Sequence, residues 1–217
     1  MNCLLAAATV KEITPFLNYY RNGNTKPDID ILITGIGLTA STYALIKQID
    51  IKKPGLVIQA GIAGCFDKNI ALGSVVVIKQ DTIADQTVIE NKQLTTMFGL
   101  GLIKLNQAPY SKGWLINPHQ ELIKKTKLKT LKGVSVNHIT TGKQMIRLYQ
   151  KKFNASVESM EGSALHYTCL MERIPFLQIR GISNYVGERN KNKWKMKDAI
   201  NNLNAVLVRM IDPGASM

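Results

Sequence analysis

Cysteine is scarce in this sequence of 217 residues, which contains only Cys3, Cys65 and Cys169. An odd number of cysteines in apolar surroundings argues against a disulfide framework, so we expect small reduced core residues. No run of about 18 apolar residues is present, which argues against a transmembrane helix. The N-terminus lacks a basic segment ahead of its apolar run, which argues against a signal peptide. We therefore expect a cytoplasmic protein with no membrane partner.

Acidic residues are also few, because 15 Asp and Glu stand against 28 Lys and Arg, for a net charge of +13. Such a charge makes a nucleic-acid partner worth weighing. The densest basic segments are Lys124–Lys132 and Arg189–Lys197. No zinc pattern, RNA-binding aromatic motif or helix-turn-helix signal accompanies them, and the first is typical of a solvated helix face or loop. We expect no nucleic-acid partner, since an anionic small substrate would explain the same charge.

Apolar runs of strand length alternate with helical patterns along the chain. Several runs are solidly apolar, which is typical of strands covered on both faces. This order predicts an α/β fold with a mostly parallel sheet. The predicted strands are Asn2–Ala8, Ile29–Gly35, Leu56–Ala60, Ser74–Ile78, Val134–Ile139 and Phe176–Ile182. The predicted helices are Leu38–Ile49, Gly162–Arg173 and Lys193–Ile211, and the glycine- and proline-containing stretch Thr82–Pro118 is predicted to form loops.

No repeat, low-complexity tract or linker divides the sequence, so residues 1–217 are predicted to form one domain with a flexible tail at about 212–217. Two glycine turns follow predicted strands. The segment Thr34–Ser41 has Ala40 where a dinucleotide fingerprint needs its third glycine, which argues against a nicotinamide cofactor. In Gln59–Phe66, Gly61 and Gly64 would let a flat ligand approach the backbone. Two such turns at strand ends favour a ligand site there.

Four segments in order carry a family resemblance: AAATVKEI, TGIG, AGIAGCF…LGSVVVIKQDTIAD and VESMEGSALHYTCLMERIPFLQIRGISNYVGERNKNKW. The chain resembles the purine nucleoside phosphorylase/nucleosidase superfamily, and within it the methylthioadenosine/adenosylhomocysteine nucleosidases and the futalosine hydrolases. The resemblance implies a single α/β domain with a central mixed sheet flanked by helices. It implies hydrolysis of an N-ribosidic bond without metal or organic cofactor. It also implies a homodimer or higher oligomer, in which Phe98–Tyr110 could reach a neighbour's site.

The resemblance assigns roles to two acids. Glu12 matches the glutamate that activates the attacking water, although an acid in the first turn of a helix is also common for structural reasons. Glu161 and Met160 match the pair that meets the ribose. Both can touch a ligand only where a strand bends into a helix, and Gly162 favours such a bend. Glu158 is given a supporting structural role, with a weaker claim on the site.

Asn184 departs from the adenine-specific nucleosidases, which carry Asp at this place. An Asn amide donates and accepts hydrogen bonds without an ionisable proton. It can donate to a 6-oxo group while its carbonyl accepts from protonated N7, whereas adenine would present a donor to a donor. We therefore predict a 6-oxopurine substrate, with the N7 proton supplied by solvent or a relay.

Further substrate-binding candidates follow from position in the family pattern. Ala63 and Gly64 would line the site, Met145 and Ile146 would lie beside the base, and Trp194 would cover the 5′ substituent. The futalosine side arm ends in a carboxylated ring, which could pair with Arg189, Lys193 or Arg147.

Other functions stay open from the sequence. One is a phosphorolytic purine nucleoside phosphorylase, which needs an anion site and a different N-terminal motif. Another is an adenine-releasing nucleosidase. A non-catalytic nucleoside- or nucleic-acid-binding protein is the third, and the presence of both Glu12 and Glu161 argues against it.

Overall fold

The computed structural model describes residues 2–22 and 28–212, which form a single α/β domain with a central mixed sheet flanked by helices. The predicted fold class is confirmed. The tail predicted at about 212–217 lies outside the described residues from 213 onward. Asp212 itself is described, and its carboxylate accepts a hydrogen bond of 2.7 Å from the Tyr19 hydroxyl. Within the described ranges, no helix is long and apolar enough to cross a membrane.

Ten strands and six α-helices follow one another along the described chain. The strands are β1 (Cys3–Ala7), β2 (Ile29–Ile33), β3 (Leu56–Cys65), β4 (Val75–Asp81), β5 (Thr87–Glu90), β6 (Gln93–Thr96), β7 (Leu115–Ile116), β8 (Lys129–Ser135), β9 (Val157–Ser159) and β10 (Phe176–Tyr185). The helices are α1 (Val10–Asn22), α2 (Leu38–Lys52), α3 (Gln120–Lys125), α4 (Lys143–Phe153), α5 (Gly162–Met171) and α6 (Met196–Ile211). A short 3₁₀ turn at Lys191–Lys193 precedes α6.

The main sheet runs in the order β10-β4-β8-β9-β3-β1-β2, and β10 also pairs with β3. The pairings from β3 through β10, β4, β8 and β9 therefore return to β3 and close a ring of strands. Most pairings are parallel, whereas β10–β4, β3–β9 and β4–β7 are antiparallel. The carboxyl ends of β1 and the β3–β10 pair lie on the same side, which is where open α/β sheets bind ligands.

All six predicted strands differ from the structure in their bounds, and two of them differ by more than three residues at one end or both. The strand predicted to stop at Ala60 continues through both glycines to Cys65, so Gln59–Phe66 is not a turn. A Cβ at Gly61 would stand 2.5 Å from Arg180 Nη1 and 2.8 Å from Glu12 Oε1. The glycine is thus required by close approach of side chains and not by a bend. The strand predicted at Val134–Ile139 begins earlier, at Lys129, and ends at Ser135.

Helix α1, which the periodicity did not predict, begins with half of a capping box. The Glu12 carboxylate reaches back to the backbone N–H and the hydroxyl of Thr9, both at 3.0 Å. This arrangement satisfies donors that the first turn leaves free. Pro15 lies inside the helix. Beside it, the Asn204 side chain of α6 donates to Glu12 O and accepts from Phe16 N, and so replaces one rung of the helix.

Apolar side chains fill both faces of the sheet. One cluster packs β1, β3 and β10 against α1 and α6, and another packs them against α2 and α5. The cysteines are free; Cys65 and Cys169 are buried as predicted, whereas Cys3 is half-buried. Burial raises the pKa of Cys3 and of Cys65 to about 11, which keeps these thiols protonated and unreactive at neutral pH.

Candidate active site

A cavity opens at the carboxyl ends of the strands. Its wall brings together residues that lie far apart in the sequence. Among the predicted site residues, the cavity is lined by Glu12, Ala63, Gly64, Met160, Glu161, Asn184, Arg189 and Trp194. Lining residues that the sequence did not single out include Thr9, Ile36, Ile139, Thr140 and Val186. The segment after β8 thus contributes Ile139 and Thr140, where Met145 and Ile146 were predicted.

Glu12 has both a structural and a site-facing position. Its Oε2 atom forms half of a capping box at α1, and its Oε1 atom accepts a hydrogen bond of 2.9 Å from the backbone N–H of Ile62 in β3. The side chain is only 9% exposed, and that exposure faces the cavity. The carboxylate is therefore fixed by strand and helix at once, which suits a group that must hold a water in one place.

Glu161 lies at the junction between β9 and α5, where it occupies the N-cap of the helix. Its Oε1 atom accepts from the Gly37 backbone N–H at 3.1 Å. Gly37 has a φ of 90°, a conformation that residues with a Cβ rarely adopt, so the glycine turn before α2 aims a backbone donor at this carboxylate. The predicted bend is present, and it lets Met160 and Glu161 both line the cavity.

Arg180 is a site component that the sequence interpretation missed. Its side chain is 1% exposed, its Nη1 lies 3.7 Å from Glu161 Oε2, and its Nη2 donates to Gln59 Oε1 at 2.6 Å. Its guanidinium and the Glu12 carboxylate both lie against Gly61, where a Cβ would clash with each of them. The available signal was a lone arginine inside the apolar run FLQIRGIS, because a buried cation needs an acidic partner.

Asn184 reaches the cavity through an irregularity in β10. The pairing of β10 with β3 shifts register between Ile182 and Asn184, which is a β-bulge. Bulges re-aim side chains, often next to active sites. The Asn184 amide oxygen accepts from the Ser183 hydroxyl at 2.8 Å, and its nitrogen donates to Tyr185 O at 3.1 Å. One N–H and one lone pair remain for a ligand.

The remaining predicted residues lie at this cavity, at a neighbouring cavity, or against an apolar cluster. Trp194 donates from its indole nitrogen to Glu188 O at 3.0 Å, and the Arg189 guanidinium lies 6.0 Å from the indole ring centroid. Ile146 lines a neighbouring basic cavity, together with Lys68, Lys143, Arg147 and Lys193. Met145 packs against the apolar cluster around β8 and α4. Their predicted contact with the base stays a prediction.

Glu12, Glu161 and Asn184 bring two carboxylates and one amide to the cavity, and the buried cation Arg180 lies behind the two acids. Such a set can hold and deprotonate a water, stabilise a developing positive charge and hydrogen-bond a planar base. Glu158 and Glu188 also line the cavity. Within residues 2–22 and 28–212, no group of three or more His, Cys, Asp and Glu side chains could hold a metal ion.

Burial raises the pKa of Glu161, and the nearby Arg180 guanidinium and the Gly37 N–H oppose that rise. A glutamate whose pKa is raised in the folded state stabilises the fold fully below its ordinary pKa of about 4.3. This stabilisation is lost as pH rises through the raised pKa of the folded state. We therefore expect the stability difference between the wild type and Glu161→Gln to fall as pH rises from about 4 to about 7. Urea unfolding at fixed pH values measures it.

A control variant on α3, Glu121→Gln, should show the opposite dependence of stability on pH. The hydrogen bond from Lys124 lowers the pKa of Glu121, so the difference between the wild type and Glu121→Gln should grow as pH rises through that lowered value. If the Glu161→Gln difference also grew with pH, the burial of Glu161 would not govern its ionisation.

Comparison with known proteins places the chain in a family. Residues 6–212 match the phosphorylase superfamily, and the chain belongs to that superfamily. A futalosine hydrolase of Thermus thermophilus is 25% identical over 182 residues, which covers 83% of this chain and 80% of that protein. A 5′-methylthioadenosine/S-adenosylhomocysteine nucleosidase of Pseudoalteromonas translucida is 29% identical over 187 residues, which covers 80% of this chain and 72% of that protein. Similar relatives therefore include enzymes with two different substrates.

Solved structures share the fold. The adenine complex of the methylthioadenosine/adenosylhomocysteine nucleosidase from Colwellia psychrerythraea superposes with a TM-score of 0.79 at 20% identity, covering 97% of this chain and 94% of the other. The native futalosine hydrolase of Helicobacter pylori gives a TM-score of 0.78 at 20% identity, with 98% of each chain covered. These likenesses confirm the α/β architecture.

Proposed function

We propose that the protein is a purine nucleosidase that hydrolyses the N-ribosidic bond of futalosine. The products are hypoxanthine and dehypoxanthine futalosine, as a step of menaquinone biosynthesis. The observation that carries the proposal is the meeting of Glu12, Glu161 and Asn184 in one cavity, with an amide where adenine-specific relatives of the family have a carboxylate. The futalosine hydrolase among the relatives supports the same substrate.

The attacking water is held and deprotonated by Glu12. Oxygen of the water bonds to C1′ of the ribose, the C1′–N9 bond breaks, and its electron pair leaves with the base. The proton of the water passes to the Glu12 carboxylate, whose other contacts are donors from Thr9 and Ile62. These donors fix the orientation of the acceptor, so little reorganisation accompanies the reaction.

The sugar is held by Glu161 and Met160. The carboxylate accepts hydrogen bonds from the ribose hydroxyls, and its negative charge stabilises the cationic character that develops at C1′. Arg180 lies behind the two acids and is buried. Its positive charge opposes the rise in the pKa of Glu161 that burial and the neighbouring Glu12 cause.

The leaving base is held by Asn184. Its free N–H donates to O6, and its carbonyl accepts from protonated N7. The Ser183 hydroxyl that donates to the same carbonyl holds the amide in this orientation. Because Asn cannot give up a proton, solvent or a relay supplies the one that N7 takes.

Adenine release is the second candidate, because methylthioadenosine/adenosylhomocysteine nucleosidases occur among relatives of similar identity. A phosphorolytic enzyme needs a free cationic anion site, whereas Arg180 already contacts Glu161 and Gln59. A binding protein without activity is the remaining class. For all of the enzymatic candidates, the proposed partner in the cavity is a small-molecule nucleoside.

One experiment separates these functions. Purified protein is mixed, without phosphate, with futalosine, adenosylhomocysteine and inosine, and the freed base is identified by chromatography. Hypoxanthine from futalosine is the expected product. Release of adenine alone would favour the adenine-releasing nucleosidase. Release that depends on added phosphate would favour the phosphorylase. Salt-sensitive retention on DNA without turnover would favour the binding protein.

Substitution of Asn184 by Asp is expected to shift base preference towards adenine. A carboxylate accepts a hydrogen bond from the 6-amino group of adenine but offers no donor to O6, and a buried mismatch costs about 1–3 kcal/mol. The ratio of kcat/KM for futalosine to that for its 6-amino counterpart should therefore fall by about tenfold or more. The control is Asn201→Asp on the exposed face of α6, which changes the charge equally and should leave the ratio unchanged.

A homo-oligomer is part of this proposal. Leu100, Leu102 and Leu105 are exposed in the loop at 98–110, where the family resemblance predicts a contact with the neighbouring subunit.

Arg189 lines the cavity and is the basic residue that we assign to the carboxylate of the futalosine side arm.

A further inference from the structure

Glu158 is a buried acid of the cavity wall that the proposed chemistry does not use. It lies in β9, is 7% exposed, and lines the same cavity as Asn184. From the sequence it was expected to be a structural partner of other residues. Only part of its hydrogen-bonding capacity is used in this way, because Thr140 N donates to Oε1 at 3.2 Å while Oε2 is buried and accepts no hydrogen bond.

The surroundings of Glu158 complete its hydrogen bonding only in part. Burial raises the pKa of Glu158, and the hydroxyl and the backbone N–H of Thr140 oppose that rise. The Thr140 hydroxyl is itself buried without a hydrogen-bond partner. Asp85 is a neighbour of like charge, and its own Oδ2 atom is occupied by the backbone N–H groups of Asn137 and His138. Buried polar atoms nearly always have a partner, so an unused carboxylate oxygen beside a cavity indicates a donor on the ligand.

The sheet register places Glu158 and Asn184 on opposite sides of one glycine. Gly64 of β3 pairs with Glu158 of β9 and with Asn184 of β10. Side chains of directly paired residues stand on the same face of a sheet, and neighbouring strands are about 4.8 Å apart. A planar ring that lies over Gly64, which has no Cβ, therefore has Asn184 at one edge and Glu158 at another.

We propose that Glu158 accepts a hydrogen bond from N1–H of a 6-oxopurine while Asn184 binds O6 and N7, so that the pair determines base specificity. The inference rests on the proposed function and names the atoms of the base that are recognised. A 6-oxopurine carries a hydrogen on N1, whereas the N1 of adenine is an acceptor. The carboxylate and the N1 lone pair of adenine would repel each other, because both are acceptors.

Free bases test the proposal on the unaltered protein. Calorimetry with hypoxanthine, adenine and 1-deazahypoxanthine compares ligands of nearly the same shape, and the last of these has C–H in place of N1–H. Wild-type protein should bind hypoxanthine on the order of 10- to 100-fold more tightly than the deaza analogue, which is the usual range for a hydrogen bond to a charged group. Equal affinities for hypoxanthine and 1-deazahypoxanthine, or no binding of any of the three bases, would overturn the proposal.

The variant Glu158→Gln tests the residue itself. Thr140 N is a donor, so the glutamine carbonyl is expected to take the place of Oε1 and its amide to take the place of Oε2. The amide then presents a donor to N1. Hypoxanthine affinity should fall on the order of 10- to 100-fold, whereas adenine affinity should not fall. The control Glu90→Gln removes a carboxylate from an exposed position of β5 and should change neither affinity.

A loss of hypoxanthine and adenine affinity by the same factor would overturn the specificity role and would indicate a structural one. Hydrolysis of futalosine, measured in the same preparations, separates this inference from the proposed function. Discrimination at N1 without turnover supports the inference and contradicts the hydrolase. Turnover without discrimination at N1 supports the hydrolase and contradicts the inference.

Discussion

Replacement of Glu12 by Gln is expected to lower kcat for hypoxanthine release by about 10²- to 10⁴-fold, the range that a positioned general base contributes. The variant keeps an oxygen acceptor in the cavity but cannot take up the proton of the attacking water. Affinity for free hypoxanthine should change only a few-fold, because the contact proposed for Glu12 is with the attacking water and not with the base. Initial rates under substrate saturation and calorimetry with the free base measure the two quantities.

The same substitution also has a structural cost that must be separated from the catalytic one. Three donors point at the Glu12 carboxylate, two from Thr9 and one from Ile62, and a glutamine amide would face at least one of them. Destabilisation of about 1–3 kcal/mol is expected. Rates are therefore compared at a temperature where urea titration shows the variant fully folded. Full activity of the folded variant would remove Glu12 from the mechanism.

Replacement of Arg180 by Met is expected to destabilise the protein by about 3–5 kcal/mol, because it leaves an uncompensated charge on buried Glu161. The methionine fills much of the same volume, so the effect is mainly electrostatic. The free energy of unfolding from urea titration at neutral pH measures it. The double variant Arg180→Met/Glu161→Gln removes both charges and should recover part of the loss.

The matched control is the exposed ion pair between Lys193 and Glu188, whose charged atoms are 3.2 Å apart. Lys193→Met should lower the free energy of unfolding far less than Arg180→Met does, since water screens exposed pairs. Equal destabilisation by Arg180→Met and Lys193→Met, or no recovery in the double variant, would show that Arg180 does not compensate the buried acids.

Local patterns predicted much of the fold. The apolar runs at Cys3–Ala7, Leu56–Ala60 and Phe176–Ile182 are strands because residues covered on both faces need no polar alternation. The ring of pairings through β4, β8 and β9 could not be predicted, because it depends on contacts between distant segments. Helix α1 was missed because Pro15 breaks its pattern, although the capping box at Thr9 was readable.

The site was predictable to the extent that it follows family motifs. Glu12, Met160, Glu161 and Asn184 were chosen in this way, and the structure brings them to one cavity. Their chemical roles stay predictions. The position of Glu158 could not be predicted, because sequence spacing does not show that its strand pairs with Gly64 opposite Asn184.

The most direct measurement of the central claim follows the oxygen atom that reaches the sugar. Futalosine is converted in phosphate-free water enriched in the heavy isotope of oxygen, and the sugar product is analysed by mass spectrometry before its anomeric oxygen exchanges with water. Unlabelled sugar product kept in the same water for the same time measures that exchange. If a water held by Glu12 attacks C1′, the product carries one heavy oxygen on that carbon and the freed base is hypoxanthine. An unlabelled product, or a sugar phosphate that forms only when phosphate is added, would contradict hydrolysis at this site.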